Sequence, residues 1–579
     1  MNKDKNSSVL VIFTKDLPKK GIKWWRQFDI VVAPKQLEIT IQQRNLSFVD
    51  IESLIDPGNV QEASELARKL SLLTVLDGRR LSKIVNYKGY ELWWIHYDDI
   101  YYKFCLPFTQ YHALLAYLKS FEAVYLYKPP VAGLFTYFLE AYQCNYELFD
   151  DSRSLSLGFL LQVSLSLPFL LWLIIRRPGL MIWTSDQFDP PRDHDFRLRF
   201  IYEELRRKKI YFVEFIRSME QTPTVLQHAL LRRRATVYSF AIVNLIHYIA
   251  GWFGPMPIAG LSDTNPVAKT NPEGVFWFLV ATHFLRDIRG DLWSIWTMQL
   301  VLRCVGVRVA IIDSATGRSF HEMMACKLLN IPVIGILHGV PSKFYPVYDF
   351  MPEFDGEKQL SVDKYGLWSE WWKEYYLKNS RAYKPEQLYI SGPMRPLEHA
   401  DIPALSAAGH SLKVLFLSEQ LAAPTEILPY LEVLMEAKDI SLHFKFRPYR
   451  DGFEEWLKAN RPDILERMDI AKVMRGTIGE AIARCDVIVG SHTGGVLEAL
   501  LYLRPMVFFH TKKWGDYFEL ESFNLGHSFI AKNPQELLVL IRKSRSIPRK
   551  ILEELQRRFF GDPYMNGSKW VVEQVEEFL

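Results

Sequence analysis

Short runs of β-branched and other apolar residues alternate with longer, helix-like stretches along most of this chain. Residues 9–13 read VLVIF, residues 29–33 read DIVVA, and comparable runs recur as far as residues 505–509. Runs of this kind predict buried strands, and their alternation with helices predicts parallel sheets with helices on both faces. The alternation therefore predicts an α/β protein built from Rossmann-like, doubly wound units.

A polar linker, residues 401–410 (DIPALSAAGH), divides the predicted strands into two series. The chain has 579 residues, which is too long for one ordinary domain. We therefore predict a Rossmann-like domain over residues 1–400, a second over residues 401–560, and a last helix within residues 561–579. The second series is expected to form strands at residues 413–417, 442–446, 470–473, 486–490 and 505–509, and one long helix is expected at residues 197–217.

One apolar segment does not fit the sequence pattern of a soluble α/β protein. Residues 155–175 carry no charge and are followed by Arg176 and Arg177. The segment is long enough to span a bilayer, but it contains serines, a glutamine, a glycine and Pro168. A membrane span, a buried helix and a membrane-dipping helix all stay open, and the arginine pair fits a cytoplasmic membrane interface.

Charge and cysteine usage exclude several other classes. The net charge of +4 is too weak to indicate a nucleic-acid-binding protein. The basic runs at residues 206–209 and 232–234 fit a phosphate- or lipid-facing patch, or simply a solvated helix face. The five cysteines form no CxxC pair, which argues against a disulfide framework and a zinc site. The first residues lack an apolar signal-peptide core, so a cytoplasmic protein is expected.

The strongest candidate for binding a ligand is the segment at residues 491–495, called the SHTGG turn below. It lies between a predicted strand, residues 486–490, and a predicted helix, residues 495–503. Backbone N–H groups at a helix N-terminus attract anions, and glycines allow close approach of a phosphate. Glu498 lies one turn into the helix, where it can accept hydrogen bonds from sugar hydroxyls. The alternative is an ordinary capped helix. The turn is formed by Ser491, His492, Thr493, Gly494 and Gly495.

Basic and polar residues follow two neighbouring predicted strands of the same domain. Lys445 and Arg447 come at the end of one strand, and Ser418 and Glu419 come at the end of another. Arginine offers a bidentate fork for a pyrophosphate, and lysine adds a point charge. The carboxyl ends of parallel strands share one edge of a sheet, so these residues are expected near the SHTGG turn.

Residues of the N-terminal half are expected on the opposite side of the cleft. His338 and Gly339 follow a predicted strand, where a histidine fits a general base or a phosphate ligand. Asp313 and Arg395 also follow predicted strands and are expected near the cleft. Several carboxylates compete with His338 for the role of base, and the sequence does not choose between them. These carboxylates are Asp98, Asp99, Asp150, Asp151, Asp186 and Asp189.

Several of these motifs, in this order, resemble bacterial surface and capsular polysaccharide glycosyltransferases of the GT-B fold. The resemblance extends to teichoic-acid glycerophosphotransferases and nucleotide-sugar 2-epimerases, and covers residues 305–525. The chain departs from the family pattern at Leu337, Pro393 and Arg447, where many relatives have histidine in place of Arg447. The motifs are residues 331–339 (IPVIGILHG), Tyr345, Tyr348, residues 366–368 (GLW), 391–395 (SGPMR), 445–448 (KFRP) and the SHTGG turn with Glu498.

The resemblance implies two Rossmann-like domains facing a cleft, with the final helix crossing back to the N-terminal domain. It implies metal-independent glycosyl transfer from a nucleotide sugar, without a cofactor. Lys445, Arg447 and the SHTGG turn would neutralise the leaving phosphate, and Glu498 would hold the donor's ribose or sugar. His338, Asp99 or Asp151 would deprotonate the acceptor, which is a glycan or a lipid-linked molecule at the inner face of the cell membrane.

Three alternatives to this function stay open. A nucleotide-sugar 2-epimerase and a polyol-phosphate transferase with a CDP-linked donor would use the same fold. A scaffold in a polysaccharide export complex would bind no donor at all. The apolar segment at residues 155–175 and the basic runs argue against the epimerase.

Overall fold

Three parallel sheets follow one another along the chain in the computed structural model of this protein. The first sheet orders its strands as Ser47–Asp50, Ile30–Ala33, Asn6–Ile12, Phe121–Tyr127 and Asn145–Phe149. The middle sheet contains Thr236–Val237, Phe212–Arg217, Leu180–Ser185, Val309–Ile311, Val333–Ile336, Lys364–Leu367 and Leu388–Ile390. The last sheet contains Ile440–Lys445, Leu412–Leu417, Val487–Gly490, Met506–Phe509 and Ile530–Ala531. The structure describes residues 6–74, 78–149, 157–185, 188–189, 194–195, 198–218, 222–232, 234–254, 256, 271–312, 319–394, 397, 411–418, 422–447, 452–523 and 526–579.

Helices connect these strands and cover the sheets. Two short hairpins, Asn86–Tyr87 with Tyr90–Glu91 and Phe188–Asp189 with His194–Asp195, lie outside the three sheets. The helices are Ile22–Trp25, Glu38–Gln42, Val60–Ser71, Tyr97–Ile100, Leu106–Leu118, Ala132–Ala141, Leu157–Arg176, Arg199–Arg207, Thr222–Leu231, Ser239–Gly251, Pro272–Arg286, Ile288–Val305, Phe320–Leu329, Glu370–Asn379, Pro424–Glu436, Gly452–Asn460, Pro462–Arg467, Ile478–Ala483, Gly494–Leu497, Pro534–Lys543, Arg549–Phe560 and Gly567–Glu576.

The α/β class with parallel sheets is confirmed, and the reason is visible in the strands themselves. Val9, Leu10, Val11 and Ile12 are four consecutive fully buried residues, as expected when helices cover both faces of a sheet. The described part of residues 1–400, the predicted N-terminal domain, contains the first and middle parallel sheets and the two short hairpins. The predicted linker at residues 401–410 lies outside the described residues.

Two sequence predictions of individual elements are wrong. Residues 470–473 form a 3-10 turn with one isolated bridge to Phe444, and the fifth strand of the last sheet is Ile530–Ala531. The predicted long helix at residues 197–217 is a helix, Arg199–Arg207, followed by a buried strand, Phe212–Arg217.

The end of the chain packs on the middle sheet. Val571, Val572 and Val575 of the helix Gly567–Glu576 share a buried core with strand residues of that sheet. The Ser568 hydroxyl donates a hydrogen bond to the Met394 carbonyl, with 2.7 Å between the oxygens. The last helix therefore links the region after the last sheet to the middle sheet.

The apolar segment forms the helix Leu157–Arg176, which packs against the helices Thr222–Leu231, Ser239–Gly251 and Ile288–Val305. Its Ser166 hydroxyl accepts a hydrogen bond from the Tyr238 backbone, with a distance of 2.9 Å, and Gln162 is buried. By length and composition the part Gly158–Arg176 is also apolar enough to cross a membrane, and only 17% of it is buried. The helix thus has one polar, packed face and one exposed, apolar face.

Candidate functional site

The SHTGG turn follows the carboxyl end of the buried strand Val487–Gly490, as predicted. Thr493 caps the following helix, because its hydroxyl accepts a hydrogen bond from the Gly495 N–H at 3.3 Å. The α-helix covers only Gly494–Leu497 and tightens into a 3-10 turn that begins at Glu498. The predicted helix at residues 495–503 is therefore two short helical pieces, and its first backbone N–H groups border the edge of the sheet.

The SHTGG turn lies directly against the loop that follows a strand of the middle sheet. A Cβ atom placed on Gly494 would lie 3.2 Å from Val340 Cγ2 and 3.7 Å from the Val340 backbone nitrogen. On the same loop, a Cβ on Gly339 would overlap the Tyr348 hydroxyl at 2.6 Å. A Cβ on Gly339 would require Tyr348 to move, and the contact between Gly494 and Val340 places the SHTGG turn against the loop that also carries His338 and Gly339.

Aromatic rings fill the junction between the two loops, and we call this group the aromatic seam. The His492 ring stacks on Trp514 with 3.9 Å between centroids, and Trp514 lies 5.8 Å from Tyr345. Tyr345 lies 5.6 Å from Tyr102, and His338 lies 5.7 Å from Tyr348. The seam therefore connects the last sheet, the middle sheet and the segment between the strands Ser47–Asp50 and Phe121–Tyr127 of the first sheet.

A π-helical turn, Tyr101–Cys105, supplies Tyr102 to this seam. π-turns insert one extra residue into a helix and occur often at functional sites. Burial raises the pKa of Tyr102 and of Tyr517, which contacts His492, well above the ordinary value. These hydroxyls therefore stay protonated and can act as hydrogen-bond donors near neutral pH.

The predicted phosphate ligands of the last sheet lie at the same edge. Ser418 and Lys445 end neighbouring strands, and the Ser418 N–H donates to the Lys445 carbonyl at 3.2 Å. The Lys445 ammonium donates to the Gly476 carbonyl at 2.7 Å, and burial lowers its pKa. One of its three N–H bonds is therefore already used, which leaves the others for a ligand. Arg447 is partly buried two residues further on.

The two neighbouring carboxylates Asp98 and Asp99 differ in burial. Asp99 is half-buried and forms an ion pair with Lys103 on its own helical face, with 2.7 Å between the charged atoms. Its neighbour Asp98 is buried and raises the pKa values of Tyr101 and Tyr102 through its charge, so it lies beside the seam. Because neighbouring residues of a helix point in different directions, the Asp98 side chain is buried while the Asp99 side chain reaches solvent. Asp151, Asp313, Arg395 and Glu419 lie outside the described residues.

Trp514 was not predicted from the sequence as a site residue. It belongs to the segment HTKKWGDYF, residues 510–518, which follows the strand Met506–Phe509. A narrow cavity at this place is lined by Ser491, His492, Trp514 and Tyr517. Aromatic residues directly after a strand end were the available signal, because side chains at that position face the cleft of a parallel sheet.

A second cavity lies at the opposite edge of the last sheet. It has a volume of about 500 Å³ and is open to solvent. Its position at the amino ends of the strands is not where doubly wound sheets bind their ligands, so we favour the SHTGG edge. The charged residues and the histidine that line the cavity are Lys413, His443, Arg475, Glu480, Arg484, Asp486 and Arg504.

The expectation of a metal-free and cofactor-free reaction stays a prediction. Among the residues that the structure describes, His247, Asp291 and His321 bring three potential ligand atoms within 4.8 Å of one another. None of these three belongs to the last sheet, so the group is separate from the SHTGG turn.

Comparisons with known proteins give similar structures at low sequence identity. No protein-family model and no curated protein matches the chain. The glycotransferase of kitacinnamycin is 14% identical, with 69% of this chain and 98% of that chain covered and a TM-score of 0.40. A UDP-GlcNAc 2-epimerase from Neisseria meningitidis bound to UDP-GlcNAc is 13% identical, with 69% and 99% covered and a TM-score of 0.37.

The wall teichoic acid polymerase TagF is 10% identical, with 72% of this chain and 98% of that chain covered and a TM-score of 0.38. These proteins are of the kinds that the sequence resemblance names. At such identities and TM-scores the similarities assign neither an activity nor a ligand to this chain. The functional conclusion therefore depends on the chain's own residues.

Proposed function

We propose that this protein is a glycosyltransferase that moves a sugar from a nucleotide-activated donor to a glycan or lipid-linked acceptor. The observation that carries the proposal is the close packing of the SHTGG turn against the loop of His338, Gly339 and Val340. A turn that would bind the donor phosphates therefore lies, through Val340, against the loop that carries His338. Such a junction suits a reaction between two bound molecules.

The donor half of the proposal rests on the last sheet. Its backbone N–H group at Gly494, with Lys445 and Arg447, would hold the donor phosphates as negative charge develops on the leaving group. One well-placed donor to such a developing charge is worth about 3 kcal/mol of transition-state stabilisation. Glu498, partly buried at the next turn, would accept hydrogen bonds from ribose or sugar hydroxyls. No cofactor is needed for this chemistry.

The acceptor half rests on the middle sheet. His338 would take the proton of an acceptor hydroxyl while that oxygen forms a bond to the anomeric carbon. The bond from the anomeric carbon to the phosphate oxygen breaks, and the electron pair leaves with the nucleotide. The aromatic seam is able to exclude water from this junction, which favours transfer over hydrolysis.

An exposed apolar helical layer favours a lipid-linked acceptor over a free nucleotide sugar. Large contiguous apolar patches mark protein or membrane contacts, and aromatic rings suit the membrane interface. This observation supports a transferase at the inner face of the cell membrane more than a 2-epimerase. The exposed residues of the helices Leu157–Arg176 and Thr222–Leu231 are Leu167, Leu171, Trp172, Ile174, Ile175, Leu226, Leu230 and Leu231. Those of the helix Ser239–Gly251 and the two residues after it are Tyr248, Trp252 and Phe253, and those of the helix Ile288–Val305 are Trp293, Trp296 and Leu300.

Isothermal calorimetry with UDP, GDP, CMP, CDP and their sugar- or polyol-linked donors tests the donor site. We expect one nucleotide class to bind with a stoichiometry of one, and Arg447→Ala to weaken it at least tenfold. Arg467→Ala removes an exposed arginine of the same region and should bind like the wild type. Absence of binding by every nucleotide would leave the scaffold alternative, and a preferred CDP-polyol would indicate a phosphotransferase.

A further inference from the structure

Three histidines from three different segments surround one buried carboxylate. Asp291 is 1% exposed, and its Oδ1 atom lies 3.2 Å from His247 Nε2 and 3.0 Å from His321 Nε2. His96 Nε2 lies 3.2 Å from the other carboxylate oxygen, Oδ2. His247, Asp291 and His321 belong to the helices Ser239–Gly251, Ile288–Val305 and Phe320–Leu329, which pack together. His96 ends a 3-10 turn of the segment before the aromatic seam.

Hydrogen bonding does not account for this convergence. Only the contact of His321 with Asp291 has the geometry of a hydrogen bond. His96 Nε2, His247 Nε2 and Asp291 Oδ2 are buried, and their contacts of 3.2 Å within the cluster are not aligned as hydrogen bonds. Buried polar atoms without hydrogen bonds are rare and cost about 1 to 3 kcal/mol each. Several such atoms directed at one place indicate a ligand that they share.

The spacing of these atoms suits a metal ion. Tetrahedral zinc with bonds of about 2.0 to 2.1 Å has ligand atoms about 3.3 Å apart. The distances of His247 Nε2 and His321 Nε2 from Asp291 Oδ1, 3.2 and 3.0 Å, are close to that value. Two neutral imidazoles and one carboxylate are a common ligand chemistry for divalent transition metals.

The surroundings of the site fix the position of one ring. A Cβ atom on Gly290 would lie only 2.5 Å from His247 Nδ1, so only glycine allows the ring to lie there. Glycine inside a helix costs about 0.5 to 1 kcal/mol relative to alanine. The helix therefore contains a destabilising glycine directly beside Asp291, the residue that the His247 ring contacts.

We propose that His247, Asp291 and His321 bind one divalent transition-metal ion, for which zinc is the probe, while His96 contacts the other carboxylate oxygen of Asp291. Through that contact the site would join the helices over the middle sheet to the segment that carries the π-turn and Tyr102. It would thereby hold one side of the aromatic seam in place. The site is separate from the SHTGG turn and does not depend on the proposed glycosyl transfer.

Zinc binding by the purified full-length chain tests this proposal. The metal-free protein is titrated with zinc against a chromophoric chelator, and bound metal is counted by mass spectrometry after gel filtration. We expect one zinc ion per chain, and at least a tenfold loss of affinity in Asp291→Asn and in His321→Ala. His112→Ala, which removes an exposed histidine outside the cluster, should bind like the wild type. Equal affinity in all four proteins, or no zinc bound by the wild type, would overturn the proposal.

Cobalt(II) provides a second measurement that needs no variant, in case the substitutions prevent folding. Bound to the wild-type chain, cobalt is expected to show the intense visible absorption of a low-coordinate site with nitrogen ligands. Added zinc should displace it and remove the absorption. A spectrum identical to that of aqueous cobalt would overturn the proposal, whatever the nucleotide-binding experiments give.

Discussion

At the scale of single residues, burial decides which charged groups act inside the fold. Glu214 is fully buried in a strand of the middle sheet, where its carboxylate contacts Arg232 and Arg234 at 2.9 Å each. The Tyr202 hydroxyl donates to its other oxygen at 2.6 Å. The basic run at residues 232–234 was predicted to face phosphate, lipid or solvent. Two of its arginines instead neutralise a carboxylate in the core.

We expect Glu214→Gln to lower the free energy of unfolding by about 3 to 5 kcal/mol, because it leaves buried arginines without a counter-ion. Chemical denaturation checks this value. Glu203→Gln, which breaks the largely exposed pair of Glu203 with Arg199, should cost about 0 to 1 kcal/mol. Similar losses in the two variants would contradict the assignment of Glu214 to a buried ion cluster.

The same cluster predicts a pH dependence of stability. Burial favours the neutral form of Glu214, but the two arginines outweigh it and lower its pKa. A depressed carboxyl pKa stabilises the fold above the unfolded value of about 4.3, and that contribution is lost as the pH falls towards the folded pKa. The stability gap between wild type and Glu214→Gln should therefore shrink below about pH 4. A constant gap down to pH 3 would contradict this account.

His338 and Asp99 make a matched pair for the chemistry. His338→Gln should keep nucleotide affinity within about threefold and lower kcat by about 10² to 10⁴, the usual contribution of a general base. Asp99→Asn should leave kcat unchanged, since Asp99 is paired with Lys103 at the surface. Steady-state kinetics with the donor identified by calorimetry measures both. Loss of turnover in Asp99→Asn alone would restore Asp99 as the base.

At the scale of secondary structure elements, the helix Leu157–Arg176 differs from an isolated membrane span. Its polar residues Gln162 and Ser166 face the protein, and Ser166 binds the backbone of Tyr238. Its exposed residues Leu167, Leu171 and Ile175 recur at helical spacing on the opposite side. We therefore expect this helix to lie in the membrane interface with one face buried in lipid.

The double variant Leu171→Asp and Ile175→Asp should lose at least about tenfold in binding to phosphatidylglycerol vesicles, since two apolar contacts are removed. Ile470→Asp is the matched control, because Ile470 and Ile175 are both 82% exposed. Co-sedimentation measures the three proteins. Equal binding by all of them, or none by the wild type, would argue against a membrane role for this helix.

The sequence predicted the elements whose residues carry a local signal. The strands around residues 9–13, 413–417 and 486–490 were found because their apolar runs are short and uninterrupted. The strand Phe212–Arg217 was missed, since the ion partners that allow Glu214 in its interior lie elsewhere in the chain. The prediction of functional sites has the same limit, because a local sequence pattern does not show which residues from distant parts of the chain are in contact.

The candidate site also contains some residues that the sequence predicted and others that it did not. The SHTGG turn and the loop at His338 were predicted because each follows a strand directly. Trp514 was missed because its role depends on contact with His492 and Tyr345, which no spacing reveals. The cluster around Asp291 was missed for the same reason, since its histidines lie at positions 96, 247 and 321. Only cysteine spacing was available to test for zinc.

At the scale of the whole molecule, the junction between the middle and last sheets is closed. The turn at Gly494 touches the loop at Val340, and a salt bridge joins Lys343 to Glu519 with 2.6 Å between the charged atoms. Another contact, from the Val60 N–H to the Lys513 carbonyl at 3.0 Å, joins the last sheet to the helix Val60–Ser71. A donor as large as a nucleotide sugar has to separate the turn from the loop in order to enter.

A disulfide across this junction should trap the closed form. A Cβ on Gly494 would lie 3.9 Å from Val340 Cβ, within the range that disulfides require. The variant with Val340→Cys and Gly494→Cys should therefore bind no nucleotide when oxidised and regain binding when reduced. Calorimetry in both redox states measures the effect, with each single variant as a control. Undiminished binding by the oxidised protein would contradict a site between these two loops.

Hydrogen–deuterium exchange at saturating nucleotide tests the central claim most directly. If the SHTGG turn and the facing loop form the donor site, the amides of residues 491–498 and 338–341 should be protected together. The segment 481–486, which borders the cavity at the opposite sheet edge, should exchange unchanged. Protection of residues 481–486 without any at 491–498 would contradict the account and place the nucleotide at the other edge.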